Sequence, residues 1–179
     1  MPELLDKKGL TEAEFLRQYD PDKYPKPSLT ADIVVFRQAP GEDTPSVLLV
    51  RRGGHPFLGC WALPGGFSAA KESLEQTAAR ELAEETGVAG GDLILVGVYS
   101  APGRDPRGWV VSAAYAALLR ETVTAVAADD AAEVRWAPLE RTENGGYRLA
   151  GTPDAAGRLL AFDHDAILED AIRAVFGSK

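Results

Sequence analysis

The sequence predicts an α/β fold in which helices pack against a mixed β-sheet, and three observations carry that expectation. Five short runs rich in β-branched residues are bounded by turn residues, and two segments keep helical spacing of their apolar residues. Strands and helices do not alternate regularly, which favours a mixed-sheet sandwich over a doubly wound parallel sheet. At 179 residues the chain is sized for one domain with a full core.

Along the chain, Thr11 followed by Glu14 makes a capping-box pattern and predicts a short helix over 11–17. The stretch DPDKYPKP, 20–27, blocks regular structure because each proline fixes φ and removes a donor. Residues 1–29 are therefore expected to form an N-terminal arm ahead of a domain over 30–179. Strands are predicted at TADIVVF (30–36), SVLLVRR (46–52), LILVGVY (93–99), GWVVSAAYAALL (108–119) and EVRWAPL (133–139). A central helix is predicted at 73–86: Ser73 and Gln76 form a second capping box, strong helix formers follow, and Gly87 suits the left-handed position past the C-terminus. A last helix is predicted at 164–176, where Ile167, Ala171, Ile172 and Val175 share one face. The glycine-rich segment 144–157 reads as a loop.

Nineteen basic against 27 acidic residues give a formal charge of −8. That balance repels phosphate backbones at long range and argues against general nucleic-acid binding, so a small anionic substrate needs local positive groups. The lone Cys60 has no internal disulfide partner and reads as a buried packing residue. The charged N-terminus lacks a signal-peptide core and no run approaches 18 apolar residues, so a cytoplasmic protein without a membrane span is expected.

The central helix raises the question of function. Leu74, Ala78 and Leu82 define its apolar stripe, yet Glu81 and Glu85 fall beside that stripe and Glu84 flanks them. Isolated RELAEE segments are ordinarily solvated acidic faces. Here three carboxylates within about a quarter turn repel one another, and partial burial raises their pKa values unless a cation compensates. A hard divalent ion such as magnesium or manganese is the natural compensation, and Arg80 can neutralise part of the cluster. The turn Leu63-Pro64-Gly65-Gly66 precedes the helix and can bring backbone close to a ligand.

These residues resemble the Nudix box, in which glycine is followed after five residues by glutamate, and after seven more by Arg-Glu-aliphatic-x-Glu-Glu-x-Gly-aliphatic. Gly66, Glu72, Arg80, Glu81, Leu82, Glu84, Glu85, Gly87 and Val88 fill every position. The resemblance implies an α/β/α sandwich around a mixed sheet and Mg²⁺- or Mn²⁺-dependent cleavage of a nucleoside diphosphate linked to another group. It implies Glu81, Glu84 and Glu85 as metal ligands, the carbonyl of Gly65 as a further one, and Arg80 as the orienting cation. Glu72 would support the junction of loop and helix or join the metal network.

Flanking segments, including LLVRRGGHPFLGCWALPGGF (48–67), GRDPRGWVVSAAYAAL (103–118) and LAFDHDAIL (160–168), resemble the branch containing ADP-ribose pyrophosphatases and ADP-ribose-sensing regulators of NAD metabolism. That branch implies ADP-ribose as substrate, AMP and ribose 5-phosphate as products, and a homodimer whose arm crosses to the partner. Pro102 fits where ADP-ribose-cleaving members often carry a proline. Other substrates stay open, namely NADH, a dinucleoside polyphosphate, a nucleotide sugar or an oxidised nucleoside triphosphate. So does binding without turnover, although the sensing regulators add a winged helix for which Lys179, soon after AFDH, leaves no expected room.

Arg104 and Arg107 sit on a stiff turn, RDPR, suited to a phosphate or ribose, and Arg51 and Arg52 end a strand within reach of substrate. Family members often take a base from a loop before a late strand, which makes Asp129, Asp130 and Glu133 candidates, with Glu133 preferred and Glu81 as the alternative. His55 and His164 lack metal-ligand spacing and read as structural hydrogen-bonding residues. Trp61, Trp109 and Trp136 read as core or groove walls, one of them able to stack on adenine.

Overall fold

The computed structural model describes residues 4–88, 92–120, 124–125, 131–151 and 159–177. After α1 (Glu12–Gln18) come β1 (Ser28–Arg37), β2 (Ser46–Arg52), β3 (Trp61–Ala62) and β4 (Gly65–Phe67). Then follow α2 (Leu74–Thr86), β5 (Ile94–Tyr99), β6 (Val110–Leu119), β7 (Ala131–Arg141), β8 (Tyr147–Leu149) and α3 (His164–Phe176). The strand order is β5-β6-β1-β2-β7-β8, with β3 on β2 and β4 on β1. β1 and β6 run parallel from Ser28↔Val110 to Arg37↔Leu119, and the other pairs are antiparallel. The sheet is mixed, as the irregular element order implies.

Side-chain alternation along β1 sorts its buried residues to two faces. Ile33 and Val35 pack with Leu48, Ala113, and Ala78 and Leu82 of α2. Val34 and Phe36 pack with Val47, Leu49, and Ile167, Leu168 and Ala171 of α3. One helix therefore covers each face, which completes the α/β/α sandwich. β1 is buried on both sides, so its sequence is a nearly continuous apolar run.

One edge of β1 belongs to β6, but the other is shared. Thr30–Asp32 pair with β4, whereas Phe36 and Arg37 pair with β2. Strands β1 and β2 thus diverge like a wedge. The segment from Trp61 to Phe67 bridges the gap, pairing first with β2 through Val50↔Ala62 and then with β1 through Ala31↔Gly66. Between those pairings the Pro64 carbonyl accepts a hydrogen bond from Ile33 N at 2.8 Å.

Both helices of the sandwich follow their sequence signals. Ser73 Oγ accepts from Gln76 N at 3.2 Å, Gln76 Oε1 accepts from Ser73 N at 2.8 Å, and Gly87 adopts φ 67°. The capping box of Thr11 and Glu14 also forms, but α1 buries no residue.

Two expectations need correction, and two short strands have no counterpart in the sequence pattern. The segment 144–157 is not loop throughout, because Tyr147–Leu149 pairs with β7; Tyr147 and Leu149 pack on the core below α3, a two-residue alternation hidden among glycines. β3 and β4, two and three residues long, are too short to leave a periodic signature. Cys60 is only partly buried, at the margin of the small cluster of Val50, Ala62 and Ala161. No helix among the described residues is long and apolar enough to cross a membrane.

Ile167 is fully buried where α3 meets the sheet. Ile167→Ala is expected to cost about 2–5 kcal/mol of stability, read as a lower urea midpoint with an unchanged slope.

Candidate active site

A cavity of about 760 Å³ opens at the wedge between β1 and β2. α2 supplies Arg80, Glu81, Glu84 and Glu85 to one wall, and the bridging segment supplies Gly65 and Gly66. Both glycines lie in close contact with their surroundings. A Cβ on Gly65 would lie 2.3 Å from the Ala31 carbonyl oxygen of β1. A Cβ on Gly66 would lie 2.4 Å from the carboxylate carbon of Glu81, so that side chain rests directly over the Gly66 backbone.

Arg80 organises the acids. Its Nη1 donates to Glu81 Oε1 at 2.7 Å and to Glu84 Oε2 at 2.9 Å, while Nη2 donates to the Phe67 carbonyl at 3.1 Å. Nε and Nη2 reach Glu72 at 2.9 and 3.0 Å. Glu72 also accepts from Ala69 N and Thr77 Oγ1. The Arg80 hydrogen bonds hold its carboxyl down at about 2, and Ala69 N adds to the effect. Glu72 therefore ties the β4–α2 loop to the helix. It does not border the cavity, and its contacts match the junction role among the two expected for it.

Glu85 differs from its neighbours. Its Oε2 accepts from Gly65 N at 3.0 Å, and burial pushes its carboxyl up to about 7. The Gly65 bond opposes that shift and the charges of Glu81 and Asp32 reinforce it. A cation among these oxygens would reverse the balance. Glu81, Glu84, Glu85 and the Gly65 carbonyl form an all-oxygen donor set on one wall, which fits a hard divalent ion. Among the described residues, no three such groups stand close enough to enclose an ion as they lie. Arg80 draws Glu81 and Glu84 to itself while Glu85 bonds the turn.

The expected arginines separate into distinct roles. Arg52 lies 5.0 Å from the ring centre of Phe162, and Arg107 lies 5.5 Å from the same ring and 4.8 Å from that of Phe67. Arg52 also donates to the Pro56 carbonyl at 2.7 Å; burial, with the charge of Arg107, lowers its proton affinity. Arg107 is paired with Asp105 and still borders the cavity. Arg104 is also among the cavity-lining residues. It is almost fully buried and donates twice to Asp163, at 2.8 and 2.6 Å, with Asp32 at 3.7 Å, so this guanidinium braces the back wall. Arg51 lines the cavity but ion-pairs with Glu133 at 3.5 Å.

The preferred loop base is not brought in. Glu133 faces Arg51 across the β2–β7 pair and does not line the cavity, whose wall there is Ala132. Asp129 and Asp130 lie outside the described residues. His164 is buried and accepts a hydrogen bond from Leu63 N at 2.9 Å, the structural role its isolation implies. His55 is exposed at the cavity rim. Trp61 packs against the core under Arg135, Trp136 lies under Arg37, and Trp109 is exposed.

Sequence reasoning missed Asp32, Phe162 and Asp163. Asp32 carried a signal, a carboxylate inside the apolar run TADIVVF; its Oδ2 accepts from Ser112 Oγ at 2.5 Å. Phe162 adopts φ 56°, a costly conformation for a bulky residue, and that backbone aims its ring between Arg52 and Arg107. No sequence pattern announces such a φ.

The family profile described as the NUDIX domain matches residues 26–156. An ADP-ribose pyrophosphatase of Methanocaldococcus jannaschii is 35% identical over 152 residues, 84% of this chain and 76% of that protein. The ADPR responsive transcriptional repressor NtrR of Acinetobacter baylyi is 32% identical over 90% of this chain, which spans only 59% of the repressor. Among solved structures, the NUDIX domain of Shewanella oneidensis NrtR complexed with ADP ribose aligns with a TM-score of 0.73 and 36% identity. That alignment covers 93% of this chain and 99% of that one.

The two glycines of the turn should respond differently to a methyl group. Gly65→Ala forces β4 off β1 and is expected to cost about 1–3 kcal/mol in urea unfolding. Gly66→Ala meets only the carboxylate end of the Glu81 side chain and no backbone, so its cost should stay below about 1 kcal/mol. Equal losses in the two variants would contradict this account of the turn.

Proposed function

The chain belongs to the NUDIX family of pyrophosphate-hydrolysing enzymes, and we propose that it cleaves ADP-ribose to AMP and ribose 5-phosphate with the help of Mg²⁺ or Mn²⁺. One observation carries the reading: three carboxylates of a single helix and a glycine turn border the same cavity as two arginines gathered on one aromatic ring. Similarity to an ADP-ribose pyrophosphatase and to an ADP-ribose-bound domain supports the choice of substrate.

In this reading Glu81, Glu84, Glu85 and the Gly65 carbonyl hold the metal, and Arg80 fixes the carboxylates that surround it. A bound divalent ion supplies charge neutralisation at the pyrophosphate and acidifies water. Arg52 and Arg107 meet the diphosphate, their positions set by Phe162. Water attacks one phosphorus, the bridging P–O bond breaks, and the oxygen of that bridge leaves on the other product. Glu81, which borders the cavity, accepts the water proton in place of Glu133.

The homodimer belongs to the same reading. Phe15 and Leu16 of α1 and Tyr19 at its C-cap are exposed, and a seven-residue helix with no buried residue needs a surface to rest on. A second copy supplies that surface when the arm crosses to it.

Incubation with Mg²⁺ and a panel of nucleotides, followed by chromatography, tests the reading. Selective release of AMP from ADP-ribose, abolished by chelation, is expected. Cleavage confined to triphosphates or dinucleotides would replace the substrate, and tight binding without turnover would move the site to sensing. Glu85→Gln should lower turnover by about 100-fold or more with the fold intact; a near-normal rate would remove Glu85 from the ligand set.

A further inference from the structure

The turn Leu63-Pro64-Gly65-Gly66 is gripped from both faces of the sheet. Pro64 has no N–H, so Leu63 and Gly65 donate the bonds that hold its first half. Gly65 N donates to Glu85 of α2 at 3.0 Å, and Leu63 N donates to His164 Nδ1 of α3 at 2.9 Å. Because Nδ1 accepts, the ring proton sits on Nε2, which faces Asp32 Oδ1 at 3.6 Å. Asp32 is held in turn by Ser112. Burial keeps the imidazole neutral, as an acceptor at Nδ1 must be.

This chain runs from β6 through β1 and α3 to the residue that precedes Pro64. A carboxylate that fixes a histidine tautomer, which then orients a neighbouring group, is the usual architecture behind metal ligands. Here the group oriented is a backbone turn. Pro64 and the β1 contact at Ile33 make the turn stiff, so fixing Leu63 fixes Gly65 two residues on.

We propose that His164 is a positioning residue for the metal-binding wall: by accepting from Leu63 N it sets where the Gly65 carbonyl and the Gly65-bound Glu85 meet the ion. The inference rests on the reading of Glu81, Glu84, Glu85 and Gly65 as that wall. It predicts that the hydrogen-bond acceptor matters, and that the bulk or basicity of the imidazole does not.

Two substitutions separate these. In His164→Asn the amide oxygen hangs on Cγ, as Nδ1 does, and can still accept from Leu63 N. In His164→Gln the polar atoms lie one bond further out, opposite Asp32, and Leu63 N loses its partner. The readouts are Mn²⁺ binding to the nucleotide-free protein by electron paramagnetic resonance, and hydrogen exchange of the Leu63 amide by NMR. His164→Gln is expected to weaken Mn²⁺ binding and to speed exchange by about tenfold or more, whereas His164→Asn stays within about threefold of wild type in both.

Wild-type affinity in His164→Gln overturns the proposal, as does folded His164→Asn that binds Mn²⁺ no better than His164→Gln. Should His164→Gln fail to fold, His164→Asn decides alone: retained affinity supports the acceptor role, and a tenfold loss ends it. Wild-type protein that binds no Mn²⁺ overturns the metal reading itself and this inference with it. A binding wild type with an equally binding His164→Gln overturns only this one.

Discussion

Mutual repulsion among the carboxylates of α2 is the constraint on which the site depends. Glu81, Glu84 and Glu85 share little more than one helical turn, and they sit beside the apolar stripe that α2 buries against the sheet. A helix in that position cannot rotate them into solvent without exposing Ala78 and Leu82. Positive charge must come to them instead. In this structure Arg80 meets that need for Glu81 and Glu84, and Glu72 locks Arg80 from the far side. Glu85 instead has a backbone N–H and the more distant Arg52, and burial pushes its carboxyl up toward neutrality. Arg80 sits where it can yield its partners to an ion while remaining bound to Glu72 and the Phe67 carbonyl.

The same economy of space shapes the turn opposite the helix. Splitting the edge of β1 between β4 and β2 opens a crevice in an otherwise continuous sheet, and crevices where strands part are natural ligand sites in α/β folds. Bridging the crevice with extended chain brings backbone within contact distance of both β1 and the acids. A Cβ at 65 would strike the backbone of β1, whereas one at 66 would meet only the Glu81 carboxylate. Gly65 is a packing requirement of the sheet, and Gly66 leaves room for the acid.

Much of this was legible in the sequence, for reasons of range. Caps, helix periodicity and β-branched runs are local, so the capping boxes of α1 and α2, the apolar stripe and five strands stand where the pattern puts them. The carboxylate cluster is local too, being set by the helical repeat. What the sequence did not show depended on contacts far apart in it. Arg104 reads as a guanidinium on a stiff turn, and its pairing with Asp163, nearly sixty residues later, has no local signal. Glu133 reads as a loop acid, and strand pairing sets it against Arg51. Asp32 and Phe162 escaped because a single polar residue in a strand and a single positive φ have no spacing to recognise. β3, β4 and β8 are too short for periodicity to show.

The buried ions at the back wall make sense only as parts of one assembly. Asp32 and Asp163 converge on the largely buried Arg104, an arrangement that depends on hydrogen bonds to satisfy the acids. Ser112 and Arg104 provide those bonds, and neutral His164 adds an Nε2–H beside Asp32 without adding charge. An apolar filling would stabilise the fold as well or better. It could not hold the Leu63 N–H, which needs an acceptor, nor could it fix the tautomer that makes His164 one. The polar back wall is therefore better understood through the geometry it maintains, that of the turn facing Glu85. The overall charge of −8 fits this arrangement. Long-range attraction does not draw an anionic nucleotide to the protein, so selection falls to the arginines and the wall inside the cavity, where the field is local and the dielectric low.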